Sequence, residues 1–129
     1  MPIGVELVKR GVVKEVDIES ALEYQRDYPN MKLGDILHVL NVCDPEILIK
    51  NIGEILGEKG ILLKANVLKI KPTDYLSLDM CKKYKCLPFE VNGSKIKVCF
   101  TDKISNAKTD PVRMLLLNKG LVMESYVTF

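Results

Sequence analysis

The sequence lacks the residue patterns that usually carry catalysis. It has no phosphate-binding loop of the G-x-x-x-x-G-K-[ST] type, and its nearest glycine cluster, GEILGEKG, has neither the spacing nor the magnesium-binding hydroxyl. It has no G-x-S-x-G or H-E-x-x-H motif, and its single histidine, His38, does not make an ordinary catalytic triad. We therefore expect no enzymatic activity from this chain alone.

The sequence also lacks the residue patterns that usually bind a metal or a cofactor. The four cysteines form no C-x-x-C pair and have no histidine nearby to complete a zinc site. They lie mostly among apolar residues, where a free thiol behaves as a small hydrophobic side chain. We predict buried free thiols, no metal and no cofactor.

The chain also lacks a long apolar run and a strong charge of one sign. No segment approaches the roughly 18 apolar residues that cross a bilayer, and the N-terminus is charged where a signal peptide would be apolar. These features predict a cytoplasmic protein. The net charge of +2 comes from 19 basic and 17 acidic residues that are interspersed, so we expect no nucleic-acid partner.

The most informative feature that is present is an internal repeat. Residues 3–25 and 33–55 align at a constant offset of 30, which places Gly4 on Gly34, Leu7 on Leu37 and Ile18 on Leu48, among other pairs. The apolar spacing in each copy predicts a short helix, a tight link and a longer helix. Two such hairpins can bury their apolar stripes against each other, which neither can do alone. We assign residues 1–59 to this helical subdomain.

The second half of the sequence has a different pattern. An irregular connector over 60–72 precedes a helix that Thr73 or Asp74 could cap, and CLPFEV, NGS and KIKVCFT then predict a hairpin with its turn at Asn92-Gly93. A helix over 105–118 and a strand in LVMESYVTF follow. We assign 60–129 to a small α/β subdomain, and the whole chain to the α+β class.

The repeat resembles the N-terminal domain of type II secretion and type IV pilus assembly ATPases. That domain, called the GspE N-terminal or MshEN domain, carries the motif RLGxxLVxxGLVxxxxLxxxLxxQ twice, around a spacer of five residues. The later run CKKYKCLPFEVNGSKIKVCFTD, followed by a helix and a strand, resembles the remainder of the domain. The resemblance covers nearly the whole chain and implies the regulatory domain of an ATPase.

Some members of this family bind cyclic di-GMP through the two motifs, and the resemblance implies the same ligand here. The first copy lacks only the arginine, which is Pro2; the second has Lys32 for arginine, Asn41 for glycine and Ile55 for glutamine, after a spacer one residue longer. The implied ligand-binding residues at matching positions are Ile3, Gly4, Leu7, Ile18, Leu22, Gln25, Lys32, Leu33, Gly34, Leu48 and Ile52.

Two further interpretations stay open at this stage. The repeated aliphatic residues also suit plain packing of two hairpins, with Gly4 and Gly34 allowing close helix contact and Gln25 at an exposed helix end. The family contains members without the nucleotide motif, which implies an alternative function as a docking module. In that case the domain would tie the ATPase domain of a longer chain to an inner-membrane platform protein, peripheral to the membrane.

Overall fold

The computed structural model describes residues 2–101 and 106–129, and for Asn106 the backbone alone. The chain divides into two compact units, one of Met1–Leu62 with Phe129 and the other of Leu63–Thr128. We describe each unit by itself. The unit boundary follows Leu62, three residues after the boundary predicted from the sequence, and the last residue belongs to the first unit.

The first unit contains four helices in two equivalent pairs. They are α1 (Ile3–Lys9), α2 (Glu15–Asp27), α3 (Leu33–Val39) and α4 (Pro45–Ile55). The two short helices begin 30 residues apart, and so do the two longer ones. The sequence repeat is therefore a repeat of structure, as predicted.

Both short helices are followed by a residue in the left-handed backbone conformation. Gly11 has φ +72° and Asn41 has φ +54°, and they are equivalent positions of the two repeats. Asparagine is one of the few side chains that adopt this conformation readily. The departure from the motif at Asn41 thus preserves the backbone turn. The longer helix α4 begins after Asp44, whose carboxylate accepts hydrogen bonds from the backbone N–H groups of Glu46 (2.8 Å) and Ile47 (3.3 Å).

One core joins the two repeats within the first unit. Helix α1 packs against α4, and α2 packs against α3, so each repeat completes the core of the other. Arg10 adds a contact between the repeats by donating to Asn51 Oδ1 (3.1 Å) and Glu54 Oε2 (2.6 Å). The buried core residues are Leu7, Val13, Ala21, Ile36, Leu37, Leu48 and Ile52.

The only histidine has a structural role in this unit. The ring of His38 stacks on Phe129, with ring centroids 4.2 Å apart and planes 5° from parallel. Phe129 packs against the same core. The unit also contains a two-residue strand, β1 (Lys59–Gly60), that approaches α4 closely. A Cβ atom at Gly60 would overlap the carbonyl oxygen of Ile49, so this approach requires glycine.

The second unit is a small sheet with two helices. After a 3-10 turn at Pro72–Asp74 come α5 (Leu78–Tyr84), β2 (Cys86–Asn92), β3 (Lys95–Phe100), α6 (Asn106–Leu117) and β4 (Val122–Val127). Strands β2 and β3 form an antiparallel hairpin, and β4 pairs in parallel with β3. The chain thus has the predicted α+β fold. Among the described residues, no helix is long and apolar enough to span a membrane.

Two local predictions in this unit need correction. Helix α5 is capped by Ser77, whose hydroxyl accepts a hydrogen bond from the Met80 N–H at 3.2 Å, because Thr73 and Asp74 form the separate 3-10 turn. In the hairpin, Asn92 pairs with Lys95, so the two-residue turn is Gly93-Ser94 and not Asn92-Gly93. The predicted start of the last helix, Ser105, lies outside the described residues.

Candidate functional site

The starts of the two motifs lie side by side. A Cβ atom built on Gly4 would lie 3.3 Å from Leu33 Cδ2 and 3.4 Å from two carbon atoms of Ile18. Leu33 directly precedes Gly34, the equivalent glycine of the second repeat. Three residues predicted to bind ligand, drawn from both repeats, therefore form one apolar cluster at the N-terminal ends of α1 and α3.

The second glycine sits more tightly than the first. A Cβ atom on Gly34 would lie only 2.9 Å from Ile52 Cδ1, below the range of ordinary carbon contacts. Helix α4 thus reaches the glycine of α3 directly. Close packing against Ile52 is therefore one reason for glycine at this position.

The predicted aliphatic residues differ sharply in accessibility. Leu7 and Leu48 are fully buried, and Ile52 is 5% exposed, whereas Leu22, the equivalent of Ile52, is 49% exposed. Ile3, Ile18 and Leu33 are half-buried at the edge of the core. The two repeats therefore present unequal surfaces: the first leaves its α2 residues partly open, while the second buries the equivalent α4 residues.

The two polar candidates flank the spacer between the repeats. Gln25 Nε2 donates a hydrogen bond to the carbonyl oxygen of Met31 at 2.9 Å and so ties the end of α2 to the spacer. Lys32 is the exposed N-cap residue of α3. At the C-terminal end of α2, the ring of Tyr24 stacks on that of Tyr28, the residue after the helix, with centroids 4.7 Å apart; the motif does not predict this contact.

A groove of about 380 Å³ lies on the first repeat. It is lined by Gly4 and Ile18, which were predicted site residues, and by residues that were not predicted to belong to the site. Those additional residues are Val5, Val8, Lys9, Glu15 and Glu19. Glu15 and Glu19 are four residues apart on α2 and therefore lie on the same side of the helix, which is the sequence signal that could have grouped them.

The formal charges divide unequally between the two units. The sequence of the first unit has seven basic and eleven acidic residues, giving −4, and that of the second has twelve and six, giving +6. The interspersed charge inferred from the whole chain hides this difference. An anionic ligand meets an opposing field in the first unit and a favourable one in the second.

Comparison with solved structures shows which proteins share this fold. A structure of MshE with cyclic di-GMP aligns over 99% of this chain and 90% of that one, with a TM-score of 0.66 and 20% identity. The N-terminal domain of XpsE aligns over 98% of this chain and 84% of that one, with a TM-score of 0.57 and 22% identity. This chain has the MshE and XpsE N-terminal domain fold.

The likeness to MshE and XpsE is one of structure more than of sequence. No protein-family model matches the chain, and no curated protein is similar enough in sequence to count as a match. The fold resemblance stated from the sequence is nevertheless confirmed. It rests on the order and spacing of elements, which the two repeats and the hairpin had indicated.

Proposed function

We propose that this chain is the regulatory N-terminal domain of a type IV pilus assembly or type II secretion ATPase. It acts without catalysis of its own, on the cytoplasmic side of the inner membrane, and passes a signal to the ATPase domain of a longer chain. The signal is cyclic di-GMP, bound at the joined starts of the two motifs. The contact between Gly4 and Leu33 carries this proposal, because it joins equivalent corners of both repeats in a fold that MshE shares.

The contacts that hold the ligand follow from its chemistry. The half-buried aliphatic residues at this junction, Ile3, Ile18 and Leu33, offer flat purines an apolar surface. Gln25 supplies a polar side chain, and Lys32 supplies a positive charge for a phosphate. Lysine lacks the planar fork with which arginine binds phosphate or guanine, and the first unit is acidic overall. We therefore expect weak binding.

Isothermal titration calorimetry with cyclic di-GMP tests the proposal. We expect binding in the micromolar range, absent with GTP and cyclic di-AMP, and weakened in Gln25→Ala and Lys32→Ala. Because Gln25 also bonds Met31, a thermal melt must accompany each titration; Glu23→Ala, an exposed change on the same helix, is the matched control. Wild-type protein that releases no binding heat at high micromolar ligand would contradict the proposal.

Restoring the arginines provides a test in the opposite direction. Pro2 and Lys32 occupy the two arginine positions of the motif, and both are exposed N-cap residues that make no side-chain capping hydrogen bond. Lys32→Arg should tighten cyclic di-GMP binding roughly tenfold, since a bidentate guanidinium contact replaces a point charge. Pro2→Arg should add to it. Unchanged affinity in both variants would place the ligand elsewhere.

A docking module is the second candidate function. The charge of +6 in the second unit favours it, because this unit carries none of the motif residues and yet holds the positive field of the chain. A partner such as an inner-membrane platform protein would bind there. Co-purification that survives Gln25→Ala but is lost on charge reversal in the second unit would support it.

A further inference from the structure

The described residues that line a second groove all belong to the second unit, which has the net charge of +6 and contains none of the motif residues. It has a volume of about 310 Å³ and is formed by the end of α5, the start of β2 and the end of β3, together with Leu63 and Thr128. This volume is at the lower end of the range for ligand pockets. It has room for one or two apolar side chains.

The buried part of the described lining, which we call the floor, consists of three cysteine side chains and Thr128. Cys81, Cys86 and Cys99 are all buried, and the thiols of Cys81 and Cys99 donate to the carbonyl oxygens of Leu76 and Leu87. Burial raises the pKa of Cys86 from 9.0 to about 12 and that of Cys99 to about 11. The thiols are therefore neutral near pH 7, and together with Leu87 they form an apolar surface.

The rim of the groove carries positive charge. Lys82 lies in the last turn of α5, and Lys85 is the left-handed residue, with φ +50°, that ends this helix. The Lys85 carbonyl oxygen accepts hydrogen bonds from the Thr101 N–H (3.0 Å) and hydroxyl (3.4 Å). The backbone that carries Lys85 is thus fixed against the end of β3, and both lysines line the groove with Thr101.

This combination of an apolar floor and a cationic rim selects the kind of ligand. None of the described residues that line the groove is aromatic, so they offer no platform for stacking nucleic-acid bases. A bilayer surface is broad, whereas the floor lies inside a concavity sized for a side chain. An acidic peptide satisfies both parts, with an apolar side chain inside and carboxylates at the rim.

We propose that this groove binds an acidic segment of a protein partner. One apolar side chain of the segment, such as leucine, isoleucine or methionine, fills the thiol-lined floor. Aspartate or glutamate residues on either side pair with Lys82 and Lys85. The net charge of the unit speeds the approach of such a segment and holds it in the correct orientation.

Fluorescence anisotropy with labelled synthetic peptides tests this site. Each peptide has one central leucine, isoleucine or methionine between pairs of glutamates, and a matched peptide has serine at the centre. We expect the apolar-centred peptides to bind and the serine peptide to bind at least several-fold more weakly. Equal binding of the serine peptide, or no binding of any peptide at millimolar concentration, would overturn the proposal.

Two charge-reversal variants locate the binding. Lys82→Glu/Lys85→Glu should weaken peptide binding roughly tenfold or more, because each lost pair is a hydrogen bond between charged groups. Lys64→Glu/Lys71→Glu makes the same change in net charge at exposed positions outside the groove and should have a much smaller effect. Equal weakening by both variants would show attraction to the unit as a whole and overturn the site. Circular dichroism confirms that each variant is folded.

Measuring binding to lipid vesicles distinguishes a peptide ligand from a membrane surface. If vesicles containing phosphatidylserine bind the chain through Lys82 and Lys85 while none of the peptides does, the surface recognises a bilayer and the proposal is wrong. The result is independent of cyclic di-GMP. Lys82→Glu/Lys85→Glu should leave the cyclic di-GMP titration unchanged, because all the motif residues lie in the other unit.

Discussion

The glycine of the second repeat allows packing and ligand binding to be separated by experiment. In Gly34→Ala, the new Cβ would lie 2.9 Å from Ile52 Cδ1, and Ile52 is 5% exposed, so its methyl group can move only by displacing other core atoms. Overpacking of this kind costs about 1–3 kcal/mol. Replacing glycine with alanine in a helix returns at most about 1 kcal/mol. We expect a net destabilisation of about 1–2 kcal/mol.

A second substitution removes the atom that causes the clash. Ile52→Val deletes Cδ1 and should cost about 0.5–1.5 kcal/mol by itself. In the double variant Gly34→Ala/Ile52→Val, the alanine methyl group occupies space that the valine leaves open. The double variant should therefore be more stable than the sum of the two single effects by about 1 kcal/mol.

Urea unfolding followed by circular dichroism measures these free energies, provided that the slope with denaturant is the same in all four proteins. Gly4→Ala is the matched control, because its Cβ would meet side-chain atoms at 3.3–3.4 Å, close to ordinary contact. Additive effects, or a stabilised Gly34→Ala, would refute the packing argument. Cyclic di-GMP titration of the folded double variant then shows whether the glycine also matters for the ligand.

Two further predictions concern stability. Gly60→Ala should destabilise the chain by about 3 kcal/mol or more, because the new Cβ atom overlaps the backbone oxygen of Ile49. In the control Gly57→Ala the new Cβ atom meets nothing within 4 Å, and the positive φ of +73° should cost only about 1–2 kcal/mol. Similar urea midpoints for the two variants would contradict this prediction. Folding raises the pKa of the Cys86 and Cys99 thiols from 9.0 to about 12 and about 11. Their contribution to the free energy of unfolding is therefore complete below pH 9 and is lost as the pH rises, because the unfolded chain then releases its thiol protons more readily than the folded one. Each should contribute about 1 kcal/mol less at pH 10 than at pH 8. Cys86→Ala/Cys99→Ala should lose correspondingly less stability over that interval in paired urea titrations, and a parallel loss would contradict the reasoning.

The candidate site was only partly predictable from the sequence. The motif identified Gly4, Ile18 and Leu33, which the structure brings together, but it also included Leu7 and Leu48, which are fully buried. A leucine that matches the motif looks the same in the sequence whether its side chain faces a ligand or the core. Its surroundings depend on helices that are distant in the sequence.

The sequence alone determined much of the local structure of this protein, although not the residue that caps α5 or the position of the turn between β2 and β3. The offset of 30 indicated four helices, and Asp44 and Gly11 fixed where helices begin or end, because capping and positive φ depend on a few adjacent residues. Only the tertiary structure decided that α4 buries Ile52 while α2 leaves Leu22 exposed, and that Cys81, Cys86 and Cys99 form one floor beside Lys82 and Lys85. Those outcomes depend on side chains far apart in the chain, whose contacts no local pattern records.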